Sequence, residues 1–379
     1  MKNRIALVLS SYPELGGAFQ YAQLICSALC EDARCEIIGI CLNEFWMRWC
    51  REHNIKGYYL LWNVNIPQIN SRRNKNCIFA KYLNCNFTYL GSILQQEKID
   101  IMICTSQDRI IFPLPVKVIS PIHDLMHRYE GQFPEVAIDY DTRERIFASQ
   151  AQIADVILVD SELGKKQYIE SYGNIKKRNQ KVEVLPFVAP NHINEIKDEY
   201  IETSERFVFY PAQFWKHKNH INLIKAVEIL RSSNIDIQLL LPGSDKNYGE
   251  FLRKYVDEHK LQRQVKFLGY ITDGQLAYLY HNAVAMIMPS YFGPTNIPPL
   301  EAMSAGCPVA VSNKYAMPEQ VKDAGLLFNP DSPSEIAKCI ELLLTDESQR
   351  NEMIARGYSI VAEWSVKDFS KRLIEILDV

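Results

Sequence analysis

The chain has 379 residues, more than one hydrophobic core usually serves, so its length favours two domains. Hydrophobic residues make up 47% of the sequence and charged residues 23%, proportions that exclude the disordered and fibrous classes. The formal net charge of -3 supplies no overall positive field, so we expect no nucleic-acid partner.

The apolar segment near the start, Ile5–Leu9, is too short for the hydrophobic core of a signal peptide and continues into Ser10, Ser11 and Pro13. It is typical of a buried first strand. No apolar run approaches the roughly 18 residues needed to span a bilayer. We therefore expect a cytoplasmic protein, with contact at the inner face of the plasma membrane left open.

The ten cysteines include no C-x-x-C pair, and most lie inside apolar runs such as Cys35–Cys41. A thiol in such a run behaves as a small hydrophobic side chain. The pattern predicts reduced structural thiols and no zinc site or disulfide framework.

Short runs rich in Val, Ile and Leu alternate with longer stretches of helical period, which is typical of parallel sheets covered on both faces. In the first half the predicted strands are Ile5–Ser10, Glu36–Cys41, Tyr58–Leu61, Ile99–Cys104, Val116–Ser120, Val156–Val159 and Val182–Leu185. In the second half they are Phe207–Tyr210, Ile237–Leu241, Val265–Leu268, Ala285–Met288, Val309–Val311 and Leu326–Phe328. The sequence therefore predicts an α/β fold of two Rossmann-like domains.

A polar stretch after Pro190 has few apolar residues and predicts the connection between the domains. The expected domains are residues 1–190 and 206–360. In residues 361–379 apolar side chains recur at helical spacing, so we expect an amphipathic closing helix that packs back on the first domain.

Ligands of doubly wound sheets bind outside the carboxyl ends of the strands, where each half has a suitable loop. In the first half, Gly16 and Gly17 lie between a predicted strand and a helix. Backbone N–H groups there could approach an anion, although a tight turn is the alternative. The loop lacks the G-x-G-x-x-G pattern of a dinucleotide site.

In the second half, a strand ends before a loop rich in Gly and Pro, and prolines stand where a helix would begin. The loop can present the N–H groups of Thr295, Asn296 and Ile297 to a diphosphate. Glu301, further along the helix, can accept hydrogen bonds from a ribose diol. The alternative is an ordinary loop-to-helix transition with a solvated glutamate.

Residues 289–309 resemble the signature of the retaining family-four glycosyltransferases of GT-B fold, a glutamate pair eight residues apart followed by A-M-x-x-G-x-P-V. Residues 298–309 match its second half, but Gly293 stands in place of the first glutamate. In the family that glutamate helps to hold the donor sugar, and Thr295 and Asn296 are the expected substitutes here. The resemblance is good over residues 206–345.

The segment Phe207–Asn219 is similar to the family's strand-then-K-N element, in which the lysine, here Lys218, binds the donor diphosphate. Gln213 stands near the place of a family arginine, and the backbone around Tyr270 is implied to hold the base. The predicted donor-binding set, from the loops and the resemblance together, is Gly16, Gly17, Gln213, Lys218, Asn219, Gly243, Tyr270, Ile271, Thr295, Asn296, Ile297, Leu300 and Glu301.

His123 and Asp124 are similar to the family's H-D element, whose histidine approaches the donor sugar; a buried core histidine is the alternative. The predicted catalytic residues are therefore His123, Lys218 and Asn296. His123 and His127 form an H-x-x-x-H pair that could ligate a metal, but no third ligand stands at matching spacing. Asp139-Tyr140-Asp141 has the D-x-D pattern of metal-dependent glycosyltransferases, but solvated loop acids are the favoured interpretation. We expect no metal and no cofactor, because Lys218 and a helix end can neutralise a diphosphate.

The resemblance implies a retaining, metal-independent hexosyltransferase that uses a UDP-, GDP- or dTDP-linked sugar. Its acceptor would be a glycan or a polyprenyl-linked glycan of surface polysaccharide synthesis. Phe45–Trp49 and Arg72–Lys75 predict either a membrane-contacting face or core aromatics beside a solvated loop. A sugar-nucleotide epimerase of the same fold and a donor-binding scaffold without catalysis are the alternatives.

Overall fold

The computed structural model describes residues 3–13, 16–60, 89–107, 114–190, 192–293 and 296–378. Two parallel sheets lie within these ranges, one of seven strands and one of six. Each sheet has helices on both faces. The predicted α/β fold with two Rossmann-like domains is confirmed, and every predicted strand has a counterpart in the structure.

The first sheet has the strand order β3-β2-β1-β4-β5-β6-β7, with all neighbours parallel. Its strands are Asn3–Leu9 (β1), Cys35–Cys41 (β2), Lys56–Tyr59 (β3), Ile101–Cys104 (β4), Lys117–Pro121 (β5), Val156–Val159 (β6) and Lys181–Val184 (β7). Its helices are Gly17–Cys30 (α1), Glu44–Glu52 (α2), the described residues 89–96 (α3), Met126–Tyr129 (α4), Pro134–Ala137 (α5), Tyr140–Ile153 (α6) and Glu162–Tyr172 (α7).

Both faces of the first sheet are buried, which explains why β1 reads as a continuous apolar run. Ile5 and Leu7 pack in one hydrophobic cluster, whereas Ala6 and Val8 pack in another on the opposite face. Successive side chains of a strand point to opposite faces, so a strand covered on both sides needs apolar residues at every position.

The second sheet has the order β10-β9-β8-β11-β12-β13 and is also parallel. Its strands are Phe207–Phe209 (β8), Gln238–Pro242 (β9), Val265–Gly269 (β10), Ala285–Met288 (β11), Val309–Ser312 (β12) and Gly325–Phe328 (β13). Its helices are His192–Glu195 (α8), His220–Ser232 (α9), Gly249–Glu258 (α10), Asp273–Asn282 (α11), Ile297–Ser304 (α12), Met317–Val321 (α13), Pro333–Thr345 (α14) and Glu347–Ala362 (α15), with a 3-10 turn at Lys216–Lys218.

The last described helix, Val366–Leu377 (α16), returns to the first domain. Its buried side chains include Phe369, Leu373 and Ile376, which join the cluster that contains β1 and α1. The Lys117 ammonium donates to the carbonyl of Leu377 at 2.8 Å. The first domain therefore contains residues from both sides of the second.

In each sheet the strand order reverses at one place, between β1 and β4 in the first and between β8 and β11 in the second. The loops that leave adjacent strands at such a reversal run in opposite directions and open a crevice. The two-glycine loop follows β1, while the Lys218 turn follows β8 and the loop before α12 follows β11. The fold thus places all three predicted loops at reversal points.

The eight cysteines within the described ranges are free thiols; Cys77 and Cys85 lie outside those ranges. Trp46 is fully buried and donates its indole N–H to the carbonyl of Ser11 at 2.7 Å, so it is a core residue. Phe45 stays partly exposed, and Arg72–Lys75 lies outside the described residues. No helix in the described part of the chain is both long and apolar enough to cross a membrane.

Candidate active site

The N-termini of α1 and α12, one from each domain, meet across the cleft. Gly16 precedes α1 with φ of +58°, a conformation that favours glycine. A β-carbon on Gly17 would stand 3.2 Å from Cδ1 of Ile297, the first residue of α12. Helix N-termini carry partial positive charge and unpaired N–H groups, so the two ends together are suited to an anion.

Lys218 follows β8 and lies beside the loop after β11, because Tyr291 donates its backbone N–H to the carbonyl of His217 at 2.9 Å. Burial lowers the pKa of Lys218 to about 8, against the opposing negative charges of Asp124 and Glu135. Within the described ranges its ammonium has no hydrogen-bond or ion-pair partner. A half-buried cation without a partner is suited to hold an anionic ligand.

Asn219 is held by the backbone of the protein itself. Its backbone is left-handed, and its fully buried amide donates to the carbonyls of Pro289 and Pro330 at 3.0 Å and 2.8 Å. Both N–H groups of the side chain are therefore occupied by the protein. Asn219 thus fixes the loop after β11 beside Lys218, and its place in the donor-binding set stays a prediction.

Asn296 directly precedes α12 and is held by Gln320, which sequence reasoning missed. Gln320 accepts from the backbone N–H of Asn296 at 3.1 Å and donates to its carbonyl at 2.6 Å. The buried Nδ2 of Asn296 has no partner among the described residues. This leaves one side-chain donor at the cleft end of α12. The predicted contact residue Thr295 lies outside the described residues.

Glu301 is buried within α12, and Tyr280 donates its hydroxyl to one carboxylate oxygen at 2.7 Å. Burial, followed by the charge of Glu301, raises the pKa of Tyr280 well above its usual range. The tyrosine therefore stays a donor at any working pH and fixes the carboxylate. Leu300, the preceding residue, is also buried, so its side chain belongs to the core.

The loops after β9 and β10 approach each other closely at Gly243. Its backbone N–H donates to the carbonyl of Gly269 at 2.8 Å, and a β-carbon on it would stand 2.1 Å from the carbonyl oxygen of Ala212. Only glycine fits there, so its first role is packing between loops. The side chain of Tyr270, just beyond β10, is 92% exposed, while Ile271 packs against the core of the second domain.

Gln213 is exposed, and its side-chain oxygen accepts from the indole N–H of Trp215 at 2.9 Å. This contact lies on the loop between β8 and the Lys218 turn. Gln213 therefore lies beyond the carboxyl end of β8 but supplies no positive charge, in contrast to the arginine that the resemblance associates with this region.

His123 follows β5, with its ring centroid 4.8 Å from that of Tyr21. Burial lowers the pKa of His123 to about 4, so the ring is neutral at pH 7, and its Nε2 has no partner in the described part of the chain. Asp124 accepts from the guanidinium of Arg143 at 2.7 Å and from the backbone N–H of Met126 at 3.0 Å. Arg143 was not apparent from sequence, because it lies on α6.

The two histidines of the H-x-x-x-H pair have different surroundings. Nε2 of His127 contacts Glu144 at 2.7 Å beneath α6, away from the partners of His123. Asp139 and Asp141 are exposed at the start of α6. Across the described ranges, no group of three His, Cys, Asp or Glu side chains is arranged to hold a metal ion.

Residues 192–360 match the model of the family Glycosyl transferases group 1. The match begins at α8 and ends within α15, so it includes the whole second sheet. O-antigen chain mannosyltransferase B of Escherichia coli is 29% identical over 187 residues, 49% of this chain and 49% of that protein. O-antigen chain mannosyltransferase RfbU of Salmonella typhimurium is 30% identical over 174 residues, 45% of this chain and 48% of that protein. These alignments span about half the length of the relatives.

Among solved structures, the HepE protein of Anabaena in complex with UDP aligns over 100% of both chains, with a TM-score of 0.74 and 16% identity. Sucrose-phosphate synthase from Thermosynechococcus elongatus aligns over 100% of this chain and 98% of its own, with a TM-score of 0.71 and 17% identity. The fold is GT-B. Two Rossmann-like domains that face a cleft were predicted from the sequence, and this prediction is confirmed.

Proposed function

We propose that this chain is a retaining, metal-independent glycosyltransferase that moves a sugar from a nucleoside diphosphate donor to a glycan or lipid-linked acceptor. The main support is the unpaired Lys218 ammonium beside the loop after β11, since that loop leads to α12, whose N-terminus meets that of α1. The group 1 family match of the same domain adds to it.

In this proposal, the diphosphate lies between Lys218 and the first N–H groups of α12. As the bond from the sugar's anomeric carbon to the leaving phosphate oxygen breaks, negative charge grows on the diphosphate. Lys218 and the helix end stabilise that charge in a cleft with little water. The acceptor hydroxyl forms the new bond on the same face of the sugar, and its proton passes to the leaving phosphate oxygen.

The sugar would lie between Asn296 and His123. The amide Nδ2 of Asn296 and Nε2 of His123 are both buried without a partner in the described part of the chain. A buried polar group left without a hydrogen bond costs about 1–3 kcal/mol. Hydroxyl groups of the donor sugar would supply the missing partners. These contacts would take the place of the one that the family's first glutamate makes to the sugar, at the position where this chain has Gly293.

The relatives suggest which substrates to test first. Two are named O-antigen chain mannosyltransferases, which favours a mannosyl donor and an acceptor in polysaccharide synthesis. One structural neighbour was solved with UDP-glucose. A lipid-linked acceptor would bring the protein to the cytoplasmic membrane surface, where the partly exposed Phe45 could make contact.

The test is a panel of UDP, GDP and dTDP, followed by their sugar conjugates, with thermal shift and transfer as readouts. At least one nucleotide is expected to raise the melting temperature by mass action. Lys218→Ala is expected to abolish most transfer, while Lys216→Ala, an exposed lysine on the same turn, serves as the matched control. Stabilisation by none of the three nucleotides, or full transfer by Lys218→Ala, would contradict the proposal.

The same assay separates the alternatives. Change of the donor sugar's configuration without acceptor would indicate an epimerase. Tight donor binding, with neither transfer nor slow donor hydrolysis, would indicate a scaffold without catalysis.

A further inference from the structure

Glu135 reaches from the first domain into the second. It lies on α5, and one carboxylate oxygen accepts from both the backbone N–H of His217 at 2.8 Å and the ring Nδ1 at 2.5 Å. The other oxygen accepts from the amide of Asn247 at 3.1 Å. Three donors of the second domain thus converge on one carboxylate, whose side chain is only 6% exposed.

The charge state of this pair is well defined. Burial alone would raise the pKa of Glu135, but the hydrogen bonds from His217 outweigh it and lower the pKa to about 2. Burial lowers the pKa of His217 to about 4. At neutral pH a carboxylate therefore accepts from a neutral imidazole whose Nδ1 carries the proton. The ring also stacks on Phe292 at a centroid distance of 4.1 Å.

His217 is the middle residue of the turn Lys216–Lys218, so whatever holds His217 also sets the direction of Lys218. On one side the turn is fixed within its own domain by the hydrogen bond from Tyr291. On the other side it is fixed by Glu135 from across the cleft. In the described part of the chain, the Lys218 ammonium itself is held by no hydrogen bond or ion pair, so its position depends on the turn.

We propose that Glu135 is a positioning residue that fixes the Lys216–Lys218 turn across the cleft, so that Lys218 meets the donor diphosphate only when the domains are together. This inference rests on the proposed function. When the cleft is open, Glu135 no longer contacts His217, and the position of the Lys218 ammonium is not fixed. When the cleft closes, both the contact and the diphosphate site form again. Closure and leaving-group stabilisation are thereby one event.

The contact could instead matter only for stability or only through its charge, and three substitutions separate these roles. Glu135→Gln keeps the length of the side chain and an oxygen acceptor but removes the charge. Glu135→Asp keeps the charge but is one methylene shorter and withdraws from His217. Tyr315→Phe is the matched control, because Tyr315 donates to Glu130 in another contact between the domains that does not involve the turn.

The experiment measures the affinities of the full-length chain for the nucleoside diphosphate that it binds and for the monophosphate of the same base, by calorimetry. Glu135→Asp is expected to weaken the affinity for the diphosphate by about tenfold, the effect of losing about one hydrogen bond to the turn, and to change the affinity for the monophosphate by less than about twofold. Glu135→Gln and Tyr315→Phe are expected to keep the wild-type ratio of the two affinities.

If Glu135→Asp lowers the affinity for both nucleotides equally, the role of Glu135 is structural and the inference is overturned. A larger loss of diphosphate affinity in Glu135→Gln than in Glu135→Asp would overturn it as well. Either result leaves the proposed function standing, because the wild type still binds the diphosphate. A wild-type chain that binds no nucleoside diphosphate overturns the proposed function and this inference with it.

Discussion

The amide of Asn296 occupies the space that a side chain at Gly293 would need. A β-carbon on Gly293 would stand 2.4 Å from Nδ2 and 2.5 Å from Oδ1 of Asn296, and the glycine has φ of +154°. The two residues are therefore matched to each other. A glutamate at position 293 would have to displace Asn296, so the glycine at 293 and the placement of Asn296 belong together.

We accordingly expect Gly293→Ala to destabilise the protein by about 1–3 kcal/mol, the usual effect of forcing an extra methyl into a packed site. Asn296→Gly in the same chain is expected to recover part of that loss. Urea unfolding measures both. Gly91→Ala is the control, since a β-carbon there meets nothing within 4 Å. Equal stability of Gly293→Ala and wild type would show that the two residues do not constrain each other.

Diphosphate affinity should depend on pH through Lys218. Because its pKa is lowered to about 8, the ammonium loses its proton as the pH rises through that value, and we expect affinity to fall by up to about tenfold per unit above it. Lys218→Arg stays protonated over this range and is expected to bind with a flatter profile. Titrations from pH 6.5 to about 9.5 test this, and identical profiles for the two proteins would exclude Lys218 as the titrating group.

The stability of the unliganded protein should depend on pH in the opposite direction, rising as Lys218 loses its proton. A lysine whose folded pKa is lowered favours the neutral form in the native state, so its burial is costly below pH 8 and the cost is relieved between pH 8 and the ordinary lysine value. Lys218→Met is therefore expected to stabilise the unliganded protein at pH 7 while it abolishes diphosphate binding. Thermal unfolding at pH 7 checks this, and a lower melting temperature for Lys218→Met would contradict it.

Tyr280 should affect nucleotide binding without touching the nucleotide. Tyr280→Phe removes the hydroxyl that holds Glu301 and is expected to weaken nucleotide affinity about tenfold, less than Glu301→Ala does. Tyr278→Phe, two residues earlier on α11, is the control. Calorimetry with the bound nucleotide distinguishes them, and an unchanged affinity in Tyr280→Phe would leave the hydrogen bond without a role in binding.

Phe369 should be needed for the stability of the first domain although it lies on α16. Its side chain is fully buried, and Phe369→Ala is expected to cost about 3–5 kcal/mol. Val366→Ala, at the exposed start of the same helix, is expected to have a small effect. Hydrogen exchange of α1 is the direct measurement, and unchanged protection there in Phe369→Ala would argue against the packing role.

The central strands were predictable because both of their faces are buried, so strands such as Ile101–Cys104 and Val156–Val159 are uninterrupted apolar runs. The loops at Gly17, Lys218 and Asn296 could be placed near a ligand because parallel strands end at the same edge of a sheet. The second sheet was predicted from its own apolar runs, and the expectation that the loops act as one region came from the family resemblance.

The partners of these residues could not be predicted. Glu135 contacts His217 from 82 positions away, and Gln320 contacts Asn296 from 24 away. Such pairs have no periodicity, because they depend on how the domains and helices dock. The buried contacts of Asn219 could not be predicted for the same reason. A K-N pair is typical of a surface turn, and the carbonyls that surround this asparagine belong to distant parts of the chain.

The position of α16 has a consequence for protein synthesis. A ribosome makes β1 to β7 first, yet the part of α1 that α16 covers stays exposed until α16 emerges, after the whole second domain has been translated. The domain that is made first is thus the one that is finished last. Apolar surface that is exposed in this way during synthesis is prone to aggregation, which is the condition that chaperones relieve.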